Sequence, residues 1–316
     1  MATTTNITST YAGEFAGKYV SAALLSGNTI ANGLIEVKPN VKYKEVLKRF
    51  SIDGITANSS CDFADTSTLT LTEKIIEPKQ LQVNLELCKT PFESDWEAIS
   101  MGYSSLNETL PSSFSDFFIA QIAAKVAEKT EQDIWSGTDG AGSFDGFATL
   151  LAADANLPAA NEVTGTTVTA LNVIDELGKV ADAIPSALYG NEDLYIYVSQ
   201  NVYRAYKRAL GGFAAGGVGA NGYMSEGTNQ DINVQFFDGV KVVMANGLAS
   251  DKMVATLKSN LFFGTGLLSD HNEVKVLDMG DLDGSKNVRF IMRYSAAVQY
   301  GAVEDIVTYG IVNGVN

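Results

Sequence analysis

The stretch Thr68–Lys89, TLTLTEKIIEPKQLQVNLELCK, holds two alternating runs separated by a proline. Thr68 to Thr72 places Leu69 and Leu71 on one face. Gln80 to Leu87 places Leu81, Val83, Leu85 and Leu87 opposite Gln80, Gln82, Asn84 and Glu86. A period of two marks half-buried strands. Pro78 has no N–H for a ladder and belongs at an edge or bulge. Just upstream, GITANSSCDFADTS (Gly54 to Ser67) reads as a polar loop tip. Residues 41–92 are therefore expected to form a long two-stranded excursion with one apolar face. An isolated hairpin is marginal in water, so this one must pack on a neighbour. Leu69, Leu71, Leu81 and Val83 are its candidate contact residues.

Before the excursion, small polar residues alternate with short apolar clusters such as Tyr11, Phe15, Tyr19 and Val20. Gly27, Asn32 and Gly33 keep a helix there from running on, and the segment reads as an extended arm with one or two turns of helix. After the excursion comes the clearest helix, predicted over Ser113 to Ser136. Ser113 is its expected N-cap. Phe114, Phe118, Ile122 and Val126 recur at i+4, and Gly137 stops it. A second apolar stripe of period 3.6 runs from Ala170 to Ile184, where Pro185 closes it. DLYIYVS (Asp193 to Ser199) reads as a strand, and Ser199 opens a helix carrying Val202, Tyr203, Tyr206 and Leu210. Asp238-Gly239 between two apolar runs predicts a hairpin. Val274 and Val276, then Val288, Phe290, Met292 and Tyr294, predict long terminal strands around the turn GDLDGSKN. The class is α+β.

Composition removes several functions. The chain has 316 residues and a net charge of −15, with 46% hydrophobic and 19% charged residues. That balance is globular. Gripping phosphates needs a basic face, and the densest basic cluster is only Lys38, Lys42, Lys44, Lys48 and Arg49. No run reaches the about 20 apolar residues of a membrane span, and Met1 to Thr10 lacks the basic front of a secretory signal. A soluble, non-exported chain with no membrane partner is expected. One His and two Cys cannot build a four-ligand zinc site. Cys61 and Cys88 flank the expected hairpin, which leaves a disulfide or two reduced thiols open.

Chemistry-bearing patterns are weak throughout. Gly217-Val-Gly219-Ala-Asn-Gly222 has the spacing of a dinucleotide fingerprint. It follows a helix, however, where the fingerprint must leave a strand and open one. Asp281-Leu-Asp283-Gly284 resembles part of a calcium loop, but its first and twelfth positions would be Met279 and Phe290. His271 sits beside Asp270 with no nucleophile elbow elsewhere. No catalytic, cofactor or metal site is expected, and the chain is not expected to be an enzyme. An acidic carboxylate-based hydrolase is the alternative from that class.

In order, these elements resemble the major capsid proteins of tailed bacteriophages, which share the Hong Kong ninety-seven fold. The resemblance rests on Thr68–Lys89, on EKTEQDIWSGTDGAGSFDGF (Glu128 to Phe147), on VIDELGKVADAIPSAL with DLYIYVSQNVYRAYKRAL, and on INVQFFDGVKVVMANGL. It spans nearly the whole chain without an invariant motif. It implies an N-terminal arm over 1–45, an E-loop hairpin over 46–92, a peripheral domain with the spine helix over 93–159 and 263–316, and an axial domain over 160–262. It also implies a shell subunit that assembles with itself into pentamers and hexamers around double-stranded DNA, located in the virion and assembled in the host bacterial cytoplasm. A portal is the implied partner. No long acidic helical segment precedes the arm, which implies a separate scaffolding protein or a chain in its mature form, and Met1 favours the former. The DNA would be contacted weakly and without sequence specificity, since an acidic wall lets it slide. Encapsulin compartments share the fold and are the alternative. Two further sites follow from the resemblance. The glycine loop Gly211 to Gly222, with Gly216, Gly217, Gly219 and Gly222, would face the five- and six-fold axes. The turn holding Asp281, Asp283 and Lys286 would lie near the three-fold axes.

Overall fold

The computed structural model describes residues 29–41, 43–56, 58, 61, 67–88, 112–140, 142–211, 235–265, 274–280 and 284–314. The chain divides into two compact units. One takes Leu81–Thr130 and Ser269–Tyr294, and the other takes Thr29–Gln80, Glu131–Leu268 and Ser295–Asn316.

The larger unit is built on a six-stranded sheet. Its strands are β5 (Glu162–Val163), β6 (Leu194–Val198), β7 (Gln235–Phe237), β8 (Val240–Met244), β9 (Met253–Leu257) and β13 (Val307–Tyr309). They lie in the order β5-β13-β9-β6-β8-β7. Central β6 pairs parallel with β8 and antiparallel with β9, so nearly all of its side chains are buried. One face of the sheet is covered by α3 (Val173–Ala183) and α4 (Gln200–Gly211). Val173, Leu177, Val180 and Ile184 meet Ile196, Val198, Val202 and Tyr206 there in one core. The helix α3 starts later than the stripe from Ala170 suggests. Asn172 turns its side chain back, accepting from the Thr169 N–H at 2.7 Å and donating to the Thr167 carbonyl at 3.0 Å. That closes a turn just ahead of the helix. Asp238 (φ 49°) and Gly239 (φ 79°) make the two-residue turn between β7 and β8, both in the left-handed region. A tight hairpin turn of this kind requires it.

Tyr197 leaves β6 on the side opposite that core. Its ring lies 5.0 Å from Trp135, near the end of α1 (Ser112–Ser136), and its hydroxyl donates to the Leu34 carbonyl at 2.6 Å. The helix α1 begins at Ser112, one residue before the expected cap. Gly137 follows its last residue, at a position where only glycine fits. A Cβ there would lie 2.3 Å from the Phe144 carbonyl oxygen and 2.6 Å from that of Asp133. After a short α2 (Phe147–Ala153) the chain enters the six-stranded sheet.

Strand β12 (Asn287–Tyr300) serves both units. In the larger one its second half pairs antiparallel with β10 (Leu261–Thr265), which pairs parallel with β1 (Glu36–Lys38). In the smaller one its first half pairs antiparallel with β11 (Val274–Asp278), and β4 (Lys79–Cys88) also pairs with β12. Val288, Phe290, Met292 and Tyr294 are buried while Arg289 and Arg293 are exposed, as their alternation predicts. The last element of the larger unit is a ribbon of β2 (Glu45–Asp53) and β3 (Thr68–Ile76). This hairpin is shorter than the expected 46–92, and β4 is not part of it.

Candidate assembly surface

The β2–β3 ladder runs from Glu45 opposite Ile76 to Asp53 opposite Thr68. Opposed residues in an antiparallel pair share a face, so the register sorts the ribbon into two. One face carries Leu47 with Lys74, Arg49 with Thr72, and Ser51 with Thr70. The other carries Val46 with Ile75, Lys48 with Glu73, Phe50 with Leu71, and Ile52 with Leu69.

The first face is docked on its own unit near its base, while Thr70 and Thr72 further out are exposed. Ile76 is wholly buried and Leu47 is 9% exposed, in a cluster with Val41 and Ala297. Lys74 donates to the Asp154 carboxylate and lies 5.1 Å over the Tyr300 ring. Arg49 spans Glu304 at 2.8 Å and Asp305 at 3.1 Å. Gln299 adds a hydrogen bond to the Ile75 carbonyl at 3.1 Å.

The second face meets solvent. Phe50 is 69% exposed and Leu69 67%, and Val46, Ile52, Leu71 and Ile75 are exposed as well. Only the Lys48–Glu73 pair, at 3.6 Å, breaks this apolar ladder. The arrangement inverts that of an isolated soluble domain, where the charged face would be outermost. A contiguous apolar patch of this kind marks a surface that another molecule covers.

The structure separates the four predicted contact residues. Leu69 and Leu71 lie on the exposed ladder. Leu81, on β4, is only 8% exposed within its own chain, and Val83 is half-buried. Beyond Pro78, which was expected to be a bulge or edge in the excursion, the chain does not carry on in the same ladder: β4 pairs with β12. The partner of β3 is the preceding strand. Its sequence, EVLKRFSID, places Val46, Phe50 and Ile52 on one side at a period of two, and Lys48 interrupts the signal. The glycines Gly216, Gly217, Gly219 and Gly222 lie outside the described residues, as do Asp281, Asp283 and His271. Lys286 is exposed just ahead of β12. Cys61 and Cys88 are both exposed, and no disulfide joins them.

Among the described residues no group of three or more His, Cys, Asp or Glu side chains comes together, and no helix is long and apolar enough to cross a membrane. The perturbed carboxyls serve structure. Burial pushes Glu131 upward against the Thr29 N–H and hydroxyl that donate to it, and Trp135 donates in turn to the Thr29 hydroxyl at 3.0 Å, so Thr29 is tied to the end of α1.

No protein-family model matches the chain, and no curated protein does. Solved structures do. The capsid of a native GTA particle superposes with a TM-score of 0.59 over 98% of this chain and 95% of its own, at 13% identity. The capsid of cyanophage A-1(L) gives 0.59 over 90% and 93%, at 14% identity. That of cyanophage P-SCSP1u gives 0.54 over 90% and 88%, also at 14%. The chain has the phage capsid fold. Such low identity carries the fold alone, and the apolar ladder is a property of this chain's own residues.

Proposed function

We propose that the chain is a shell subunit that assembles with copies of itself into the pentamers and hexamers of an icosahedral capsid enclosing double-stranded DNA. The observation that carries this reading is the exposed ladder of Val46, Phe50, Ile52, Leu69, Leu71 and Ile75 on a hairpin whose charged face is docked inward. An apolar face held outward by ion pairs beneath it is suited to lie across a neighbouring subunit. The phage capsid fold supplies the context, and the net charge of −15 suits a wall that repels packed DNA weakly. A portal and a separate scaffolding protein complete the proposed partners.

Each leucine covered by a neighbour contributes about 1.5–3 kcal/mol, repeated at every subunit of a shell. Leu69→Asp with Leu71→Asp should therefore give a protomer with unchanged circular dichroism that no longer assembles. Negative-stain microscopy of the purified protein reads the result. Closed particles from the parent and none from the double variant are expected. A parent that stays a monodisperse monomer, or normal shells from the variant, would overturn the reading.

A further inference from the structure

The helical layer of the larger unit carries a second exposed surface, with three cations on one helix and two exposed aspartates on the other. On α4, Arg204, Lys207 and Arg208 follow one another at i, i+3 and i+4 and so share one face. Both arginines are exposed, and the Lys207 ammonium lies 4.9 Å over the Tyr203 ring. The helix, QNVYRAYKRALG, contains no acid, and none of the three cations makes an ion pair among the described residues. In a chain of net charge −15, a basic face with no ion-pair partner among the described residues requires explanation.

The neighbouring α3 is its complement. Its outward face holds Ile174, Asp175, Gly178 and Asp182 with the exposed Lys179 beside them, whose charge is taken up by the buried Glu176, to which Tyr309 also donates. Asp175 and Asp182 are exposed. Leu171, just before the helix, is 96% exposed, and Ile174 is exposed too. A side chain added at Gly178 would meet nothing within 4 Å, so the middle of this face is low and open. Both helices rest on the same core, so both outward faces belong to one layer.

We infer that α4 of one copy packs against α3 of a second copy, with Arg204 and Arg208 facing Asp175 and Asp182, and Leu171 and Ile174 covered at the contact. Opposite potentials facing each other fix register and partner choice. Nucleic-acid phosphates would also suit α4, but Asp175 and Asp182 beside it repel them, and phosphates give Leu171 and Ile174 no cover. The second copy accounts for all of these residues. This inference rests on the shell-subunit reading and adds a contact separate from the hairpin.

The test is a charge swap read by sedimentation and electron microscopy. Arg204→Glu with Arg208→Glu should weaken self-association about tenfold or more, and Asp175→Lys with Asp182→Lys should do the same. Combining all four should restore most of the loss. A combination as defective as either pair, or pairs that assemble like the parent, overturns the contact. Normal yields of shells that retain less DNA would assign α4 to phosphates and overturn it as well. Arg204→Gln with Arg208→Gln provides a milder version if a reversed pair melts early. In that version, self-association weaker than the parent's supports the contact, and self-association equal to it overturns the contact. A parent that forms no particles defeats the shell reading alone, because sedimentation of the same variants still measures pairwise association.

Discussion

Asp154, at the end of α2, is the residue on which three distant segments meet. Its carboxylate accepts from Lys74 on the hairpin, from the Tyr300 hydroxyl at 2.7 Å, and from the backbone and side chain of Asn156 at 3.1 Å each. Its backbone carbonyl accepts from Asn313 at 2.8 Å. Burial pushes the carboxyl upward, but the hydrogen bonds from Lys74, Tyr300 and Asn156 together outweigh that push. The group therefore titrates below the ordinary aspartate value. The folded protein then binds fewer protons here than the unfolded chain. Its stabilisation is complete above the ordinary value and is lost as pH falls through the lowered one. Asp154→Asn should cost about 1–3 kcal/mol at neutral pH, and the gap to the parent should narrow in acid. Denaturant unfolding of the unassembled protomer at both pH values checks this. Part of the acid sensitivity should survive in the variant. Glu176 also lies below its ordinary value, with burial opposed by hydrogen bonds from Lys179, Tyr309 and Thr166. Nothing in the local sequence AADANL marks Asp154, because its partners Lys74 and Tyr300 are 80 and 146 residues away.

At the scale of elements, the β2–β3 ribbon does two jobs with its two faces, and substitution should separate them. Ile76 is wholly buried between Val41, Leu47 and Ala297, and one of its methyl groups approaches Gly264 so closely that a Cβ there would lie 2.7 Å away. Ile76→Ala should cost the protomer about 2–4 kcal/mol. Phe50→Ser, on the exposed face, should change protomer stability by no more than about 0.5 kcal/mol while reducing shell yield. Equal effects on the melting of unassembled protein would show that the apolar ladder packs within the chain after all. The ribbon also shows where local patterning runs out. The helices α1, α3 and α4 and the Asp238-Gly239 turn were legible, because a period of 3.6 and a left-handed turn are written in neighbouring residues. That Leu69 and Leu71 face outward was legible too. So was the partner of β3, because the polar tip Gly54 to Ser67 turns the chain back on the strand before it. That β4 leaves this ladder for β12 was not, since periodicity states which side chains share a face and leaves open which strand lies alongside. Leu81 and Val83 share the alternation of Leu69 and Leu71 but belong to another ladder.

For the whole molecule, two forces of opposite temperature and salt dependence meet in assembly. Each subunit carries −15, so bringing copies together costs electrostatic repulsion that salt screens over about 8–10 Å. Covering the ladder from Val46 to Ile75 is driven mainly by release of water, which strengthens on warming from the cold. The proposed contacts between α3 and α4 pull the other way with salt. As exposed pairs they are worth about 0.2–1 kcal/mol each, too few to reverse the relief of a repulsion shared by every charge on the subunit. Assembly yield should therefore rise as salt is brought to physiological strength and as temperature is brought up from the cold. Light scattering of purified protomer across both variables measures it. The charge-swapped combination should keep the same temperature response, because its apolar ladder is untouched. A yield that falls with added salt and is indifferent to temperature would assign cohesion to charge pairing. The hairpin's exposed side chains would then need an occupant other than a second copy.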